Sequence, residues 1–464
     1  MAASPLLLAQ AAGRDPEPAD PGEAAAPSRA SHAALEHLRA LLARDAAVAA
    51  PIDGRIGPGV HPDRQLLEAL LVAGCRLGAQ ALRIEAGAET ARIRARVDGR
   101  EQEIAQCPGR SGAAILAAVL QRSGLGPLPF DGGLHGEFSW PAADPAARGR
   151  GALLAQERFD FSIAALGRGG HALRIGIAAR HAQLQPLERL GFEAHDLETI
   201  TRALRQPQGL ILVAGARGAG RSTTAYALLD SLDARARSIQ TLEASILRPT
   251  PGWLQFKAAQ PQADGGVELA QVLRNAPDVL LVDAAWPAAQ WAGSVRLLAQ
   301  AVADGCLVLA SLAAERAHHA LCTLQAAGLG PRECAAHLSL VLVQRLVRRL
   351  CAACARPDDS AETRSAVARA ANSWLGGQEF RCARPGGVDC AHCGGAGYRG
   401  RTLLYELLPV EAGARGLFEE GIGDAELEQR LLSEGRGIWD HGLRLLARGL
   451  TSLQALREAL REPG

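Results

Sequence analysis

The chain has 464 residues, with 50 basic and 49 acidic side chains, and a net charge of +1. That length implies several domains, and the charge balance argues against a nucleic-acid surface. No apolar run reaches the roughly 18 residues needed to span a bilayer. The opening "MAASPLLLAQAAG" lacks a basic n-region, and its apolar stretch is shorter than the ~7–15 residues of a secretory signal. These features point to a soluble cytoplasmic protein.

Residues 1–62 include "GRDPEPADPGEAAAPSRA", too polar and Pro-rich to bury a core, and are read as a disordered tail. Residues 63–190 mix helical stretches ("DRQLLEALLVAGCRLGA", "GAAILAAVLQRSG") with strand-like pieces ("ALRIEAG", "ARIRARVDG", "HALRIGIAA"). They form an expected α+β subdomain. Residues 191–350 alternate helices with short apolar runs such as "LILVA", "DVLLVD" and "CLVLASL". That rhythm predicts a parallel sheet covered on both faces, an α/β core. Residues 351–400 are rich in Cys, Gly, Arg and Pro, and 401–464 read as a helical C-terminal region.

One stretch carries the chemistry: "GLILVAGARGAGRSTTAYALLD", Gly209 to Asp230. A buried strand runs into Gly215, four residues, Gly220, a basic residue, a hydroxyl residue and a helix. Such a loop turns consecutive backbone N–H groups and a helix N-terminus onto phosphate oxygens. Gly215, Gly218, Ala219, Gly220, Arg221, Ser222 and Thr223 are the candidate nucleotide-binding residues, with ATP the expected ligand. The Ser222 hydroxyl is placed to ligate Mg²⁺. Where the pattern asks for lysine the chain has Arg221, a wide planar fork in place of a compact ammonium. Glycines of an ordinary strand–turn–helix would look similar, but strand, spacing, Ser222 and helix together favour the phosphate loop. Asp283, ending "VLLVD", is either a second Mg²⁺-directed group or a solvated strand-end carboxylate.

Ten cysteines are present. Cys351 and Cys354, and Cys390 and Cys393, form two C-x-x-C pairs suited to a closed tetrahedral Zn²⁺ site. Gly394, Gly395 and Gly397 would turn the second pair tightly. Cys382 is assigned no ligand role. Cys75, Cys107, Cys306, Cys322 and Cys334 are expected to be small core residues. His318, His319 and His392 are given no metal role, since four thiolates complete a tetrahedron.

From about residue 64 onward the chain resembles the ATPases of type II secretion and type IV pilus assembly, a family of secretion traffic NTPases. The resemblance rests on "LEALLVAGCRLGAQALRIE", "RIRARVDGR", the phosphate loop, "VLRNAPDVLLVD", "VLVQRLVRRLCAAC" and "CAHCGGAGYRGRTLLYELLPV". It implies a RecA-like P-loop core, a preceding α+β subdomain and a tetracysteine zinc segment. It also implies homo- or hetero-hexameric assembly with related ATPase subunits, and partners among inner-membrane platform proteins, reached from the cytoplasm. The departures are concentrated around the nucleotide. In "TLEAS" Glu243 is kept as a candidate catalytic carboxylate, but Ala244 stands where the family has aspartate. After Asp283, Ala284 replaces the glutamate that orients water. In "SLAAE" Ala313 replaces a histidine. One phosphate-reaching arginine of the N-terminal subdomain is Ser162, and the second is kept as Arg174. Phosphoryl transfer depends on positioning and charge neutralisation, so these changes fall on one chemistry. Three readings follow: a subunit that binds nucleotide with weak or lost hydrolysis, a slow but working ATPase, and a non-catalytic scaffold.

Overall fold

A computed structural model describes residues 29–46, 63–125, 134–140, 158–166, 170–177, 185–258, 265–284, 288–374, 383–386, 395–411 and 437–460, with positions 286, 390, 392, 393 and 415. Cys382 and Gly394 lie outside the described residues.

The N-terminal unit is one layer of helices on one sheet. Helices α1 (Arg29–Ala46), α2 (Arg64–Leu77) and α3 (Gly109–Ser123) pack on six antiparallel strands: β1 (Ala79–Ala86), β2 (Thr90–Val97), β3 (Arg100–Pro108), β4 (Leu134–Ser139), β5 (Arg158–Ala165) and β6 (His171–Ile177). The strand order is β3-β2-β1-β6-β5-β4. Period-2 alternation decides which face is covered. Leu82, Ile84, Ala91, Ile93 and Ala95 point to the helices and are buried. Arg83, Arg92, Arg94 and Arg96 alternate with them on the opposite, polar face. Asp63 caps α2 by accepting from the N–H groups of Gln65 and Leu66, at 2.9 and 3.0 Å. Gly78 ends it in the left-handed region, φ 67°.

Helix α1 falls within 1–62, where no structure was expected. Its Leu38 and Leu42 are buried in the same core as α2. The leucine spacing in "ALEHLRALL" is a helical stripe, and the Pro-rich run before it masks that signal when the segment is taken as a unit.

The second unit is a three-layer α/β sandwich. Its helices are α4 (Ala194–Leu204), α5 (Arg221–Asp230), α6 (Gly265–Leu273), α7 (Ala288–Ala303), α8 (Ala317–Ala326) and α9 (Pro331–His337). Its strands are β7 (Gly209–Ala214), β8 (Ile239–Glu243), β9 (Trp253–Lys257), β10 (Val279–Asp283), β11 (Leu307–Leu312), β12 (Leu338–Leu350) and β15 (Tyr398–Pro409), in the order β15-β12-β7-β11-β10-β8-β9. All neighbours are parallel except β15, which runs antiparallel to β12. Alternate residues of one strand feed two cores. Leu210 and Leu212 pack with α7 and α8, while Ile211 and Val213 pack with α4 and α5. Every residue of β7 is buried, as a central parallel strand requires.

Between β12 and β15 lie a short ladder, β13 (Arg356–Pro357) with β14 (Ala383–Arg384), and α10 (Ala361–Trp374). The C-terminal region, expected to be helical, opens with β15, whose Leu404, Tyr405 and Leu407 are buried. Its helices follow as α11 (Ile438–Ala447) and α12 (Leu453–Leu460). β15 is an apolar run beside the glycine-rich cysteine segment, and only pairing with β12 makes it part of the main sheet.

Candidate nucleotide cleft and tetracysteine cluster

The phosphate loop follows β7, an interior strand of the sheet flanked by β12 and β11. Gly215, Gly218 and Gly220 have φ of 157°, 82° and 90°, and α5 starts at Arg221 with Gly220 as its N-cap. A Cβ on Gly215 would stand 2.5 Å from the Gln344 carbonyl oxygen and 2.8 Å from the Ala219 Cβ, so only glycine fits there. Ala219 is buried, and its carbonyl accepts from Gln344 Nε2 at 2.8 Å. The loop is therefore buttressed by β12, which runs on past the end of β7. Ser222 and Thr223 are half-buried on the first turn of α5.

Arg221 is also half-buried. Burial lowers its pKa, and the charge of Asp283 opposes that fall. Asp283 ends β10, half-buried, opposite Glu243 in register. The structure thus brings the basic residue of the loop within electrostatic reach of the strand-end carboxylate.

Glu243 has no exposed surface. Tyr226 donates to its Oε2 at 2.6 Å, and Thr241 and Gln255 donate to its Oε1 at 2.6 and 3.3 Å. Burial raises its pKa above the usual carboxylate range, against the pull of those hydrogen bonds. Both oxygens are engaged, so the carboxyl ties α5 to β8 and β9 and does not face the cleft. Ala313 is exposed beyond β11, and Ala284 packs against the core. Neither offers a polar group.

The N-terminal sheet lies across the C-terminal ends of the second sheet's strands, joined at both edges. At the β3 edge, Arg100 Nη2 donates to both Glu458 oxygens at 2.7 Å. Arg348 Nη2 reaches Glu458 Oε2 at 2.6 Å, and the Gly400 N–H donates to Asp98 Oδ2 at 3.0 Å. At the β4 edge, Lys257 Nζ of β9 meets Glu137 Oε1 at 3.1 Å. Between them is a cleft of about 470 Å³ lined by Arg174, Ser162, Asp160 and Glu137 above and by Arg217 and Lys257 below. Ser162 and Arg174 are direct cross-strand partners, and Arg174 Nη1 bonds Asp160 Oδ2 at 2.8 Å. Arg217 and Lys257 were not singled out in the sequence. Lys257 is the chain's single lysine, a signal carried by the sequence itself.

The four cysteines of the two C-x-x-C pairs come together, with all four sulfurs within 4.8 Å of one another. Cys351 and Cys390 sulfurs are 4.0 Å apart, and Cys354 and Cys393 sulfurs 3.7 Å. Sulfurs about 2.3 Å from a shared zinc at tetrahedral angles stand about 3.8 Å apart, so the donor set fits that ion. The Gly397 N–H donates to Cys393 Sγ at 3.2 Å, the kind of outer contact that holds a thiolate in place. His392 Nδ1 lies 3.4 Å from Cys351 Sγ while its Nε2 is 2.6 Å from Arg399. Gly395 and Gly397 take φ of 80° and 72°. Cys107, Cys306 and Cys334 are buried as core residues, and Cys75 and Cys322 partly so. Burial pushes the Cys306 and Cys334 thiols up to about 12.

Comparison with known proteins gives the same direction. A family model described as type II/IV secretion system protein matches residues 154–461. The type II secretion system ATPase E of Vibrio cholerae is 28% identical over 414 residues, 86% of this chain and 76% of that protein. The type IV pilus assembly ATPase PilB of Myxococcus xanthus is 30% identical over 279 residues, 58% of this chain and 46% of that one. Among solved structures, the ATPase DotB of Legionella pneumophila superposes with a TM-score of 0.58 at 14% identity, covering 87% of this chain and 97% of that one. The pilus retraction motor PilT with bound ADP gives 0.51 at 19% identity, covering 86% and 97%. At these identities the superpositions speak to fold alone. Among the described residues no helix is long and apolar enough to cross a membrane.

Proposed function

Because the chain belongs to the type II/IV secretion system protein family, we propose that it is a nucleotide-binding subunit of a type II secretion or type IV pilus assembly machine, with weak or lost ATP hydrolysis. The observation that carries this reading is a split within one site. The backbone cradle of Gly215, Gly218 and Gly220 keeps the twists that phosphate binding needs. The side chains that would drive hydrolysis are altered: Arg221 for lysine, Ala284 and Ala313 for polar groups, and Glu243 sealed in a hydrogen-bonded core. Ser222 and Asp283 remain as the groups that would hold Mg²⁺, either directly or through water.

In this reading the backbone N–H groups and the α5 N-terminus bind the phosphates. Ala284 leaves no carboxylate at the position that would orient the attacking water, so binding and turnover are uncoupled. The subunit would act by assembly, capping or mixing into a hexamer of related ATPases, and would reach the inner membrane from the cytoplasm through platform proteins. Cys351, Cys354, Cys390 and Cys393 would hold one structural Zn²⁺ that fixes the segment between β12 and β15.

A slow but working ATPase is the second reading, and the proximity of Arg221 to Asp283 favours it: a rewired cation–carboxylate pair could stand in for the lost groups. Titration of the assembled protein with ATP, with and without Mg²⁺, followed by phosphate release, separates the readings. The proposal expects binding with turnover far below 1 s⁻¹, whereas ordinary enzymes work at about 1–10³ s⁻¹. Turnover in that ordinary range, abolished by Arg221→Ala, would establish the second reading. Absence of nucleotide binding would leave only a scaffold.

A further inference from the structure

The phosphate loop carries two arginines in different surroundings. Arg221 is half-buried on the first turn of α5, with Asp283 as its charged neighbour. Arg217 is exposed at the crest of the loop and lines the cleft beneath the N-terminal sheet. Among the described residues it has no ion-pair partner. Gly218 beside it has open space where a side chain would be, so the crest is accessible from the cleft.

Two more cations face Arg217. Arg174 is 40% exposed and paired to Asp160; Lys257 is 56% exposed and paired to Glu137. Ion pairs this exposed contribute little, so a phosphate can displace either carboxylate. Guanidinium–phosphate contacts are charge-assisted and often bidentate, hence stronger. The cleft holds three cations against two carboxylates, a surplus that a polyanion would neutralise.

We propose that Arg217, rather than Arg221, is the principal cationic contact for the terminal phosphates of a bound nucleotide, with Lys257 joining Arg174, already expected to reach phosphate, in closing the anion cradle from the other side. This rests on the nucleotide-binding reading above and adds that phosphate recognition has moved outward, from the helix start to the loop crest and the overlying sheet. Asp160 and Glu137 then act as internal competitors for the ligand, holding affinity down.

The test is a binding series with AMP, ADP and ATP on the full chain. Wild type should gain affinity with each added phosphate. Arg217→Ala should weaken ATP binding about tenfold or more, as loss of a charged hydrogen bond implies, and flatten the ADP-to-ATP step. Arg217→Lys should restore part of it. Arg221→Ala should lose less than Arg217→Ala, and Glu137→Gln should bind more tightly than wild type. Lys257, the single lysine, gives an independent readout: its modification by an amine-directed reagent should slow when ATP is present, and slow less with AMP. Arg217→Ala binding like wild type while Arg221→Ala loses ATP overturns the inference and leaves the function proposal standing. No nucleotide binding by wild type overturns both. Should Arg217→Ala melt at lower temperature than wild type, Arg217→Gln, which keeps a long polar side chain without the charge, takes its place, and ATP binding by that variant equal to wild type overturns the inference.

Discussion

The phosphate loop and the cysteine cluster are served by the same strand and have fared differently. β12 passes Gln344 behind the loop, where its amide holds the Ala219 carbonyl, and ends at Leu350, next to Cys351. At the cluster, backbone and side chains agree: glycines turn the knuckle, a backbone N–H supports a sulfur, and four thiols sit at metal-binding distance. At the loop the backbone keeps its twists, while the proposed reading has the reactive side chains altered. The difference teaches that what a fold needs from a site and what a reaction needs from it are separable. Glycines, buried strands and the Tyr226–Glu243–Thr241 network keep the loop's shape. In the proposed reading, the lysine, the water-orienting carboxylate and the histidine of the family serve only chemistry, and Arg221, Ala284 and Ala313 stand in their places.

The sharpest break of this comparison is to remove the metal site. The cluster should hold about one zinc per chain, and structural zinc sites carry on the order of 10 kcal/mol of binding free energy that is also folding free energy. Cys351→Ser with Cys354→Ser, or strong chelation, should abolish the bound zinc and lower the melting temperature of the C-terminal region. Elemental analysis of freshly purified, reduced protein measures the first effect and thermal unfolding the second. Because β12 continues from the cluster to the loop, nucleotide affinity should fall as well. Loss of zinc with unchanged nucleotide binding would show that the two sites are independent.

Next in size is the attempt to rebuild catalysis. Arg221→Lys alone should improve binding more than rate, since no base is restored. Ala284→Glu alone should do little with a guanidinium in the lysine niche. Together they should exceed the product of the single effects, because groups acting as one catalytic unit are not additive. A single catalytic group typically contributes about 10²-fold or more in rate, so phosphate release by the double variant should rise by at least that factor. If the two single effects simply multiply, Arg221 and Ala284 do not belong to one unit.

How much of this could be read from the sequence differs between the same two regions. The β7–loop–α5 unit, the strand ending at Asp283 and the paired cysteines are local patterns of glycine spacing, apolar runs and C-x-x-C, and each is found where the sequence put it. The roles that depend on distant neighbours were not legible. Glu243 looks like a free acidic group in "TLEAS", and only folding brings Tyr226 and Gln255 onto it. Gln344 lies 125 positions from the carbonyl it holds. Arg100 and Glu458 are 358 apart. No periodicity signals such contacts. Arg217 sits inside the motif itself, but its exposure to the cleft depends on a sheet contributed by another unit.

A third, smaller effect concerns pH and the helices beyond the cluster. His441 on α11 is buried, its Nδ1 accepting from the Tyr405 N–H at 3.3 Å and its ring 4.0 Å from that of Tyr405. Burial, and then the charges of Arg444 and Arg448, hold its pKa well below the usual value. Glu193 pairs with both arginines, and Asp196 accepts from the Tyr405 hydroxyl, so the surroundings are otherwise neutralised. The folded pKa is depressed, so the contribution to stability is present above the unfolded value of about 6.5. It is lost as pH falls, because the unfolded chain binds a proton that the folded one refuses. The slope is about 1.4 kcal/mol per pH unit below that point. Unfolding free energies of wild type and His441→Gln between pH 7 and 5 measure it as a difference. The wild type should lose stability faster, and equal slopes would show that the ring is protonated in the fold.

The smallest effect sharpens how the N-terminal sheet is held over the loop. Arg100 and Arg348 converge on Glu458, whose carboxylate pKa is lowered by them despite partial burial. The Arg348 side chain is only 11% exposed, while Arg100 is 57% exposed. The two bonds should therefore differ in strength although they share an acceptor. An exposed pair contributes about 0.2–1 kcal/mol, and truncating one partner of a buried pair costs several. In double-mutant cycles with Glu458→Ala, Arg348→Ala should give the larger coupling and Arg100→Ala a coupling of about 1 kcal/mol or less, more sensitive to salt. Arg348 and Glu458 lie within one unit, whereas Arg100 crosses to it from the other, beside the Gly400–Asp98 bond, so the cycle isolates the ion-pair part of the link between sheet and core. If Arg100 and Glu458 couple as strongly as Arg348 and Glu458, the sheet is fastened as firmly as the core is packed, and nucleotide must enter without that edge opening. With the weak coupling expected, the β3 edge can release while the core stays intact, and the cleft above Arg217 opens from that side.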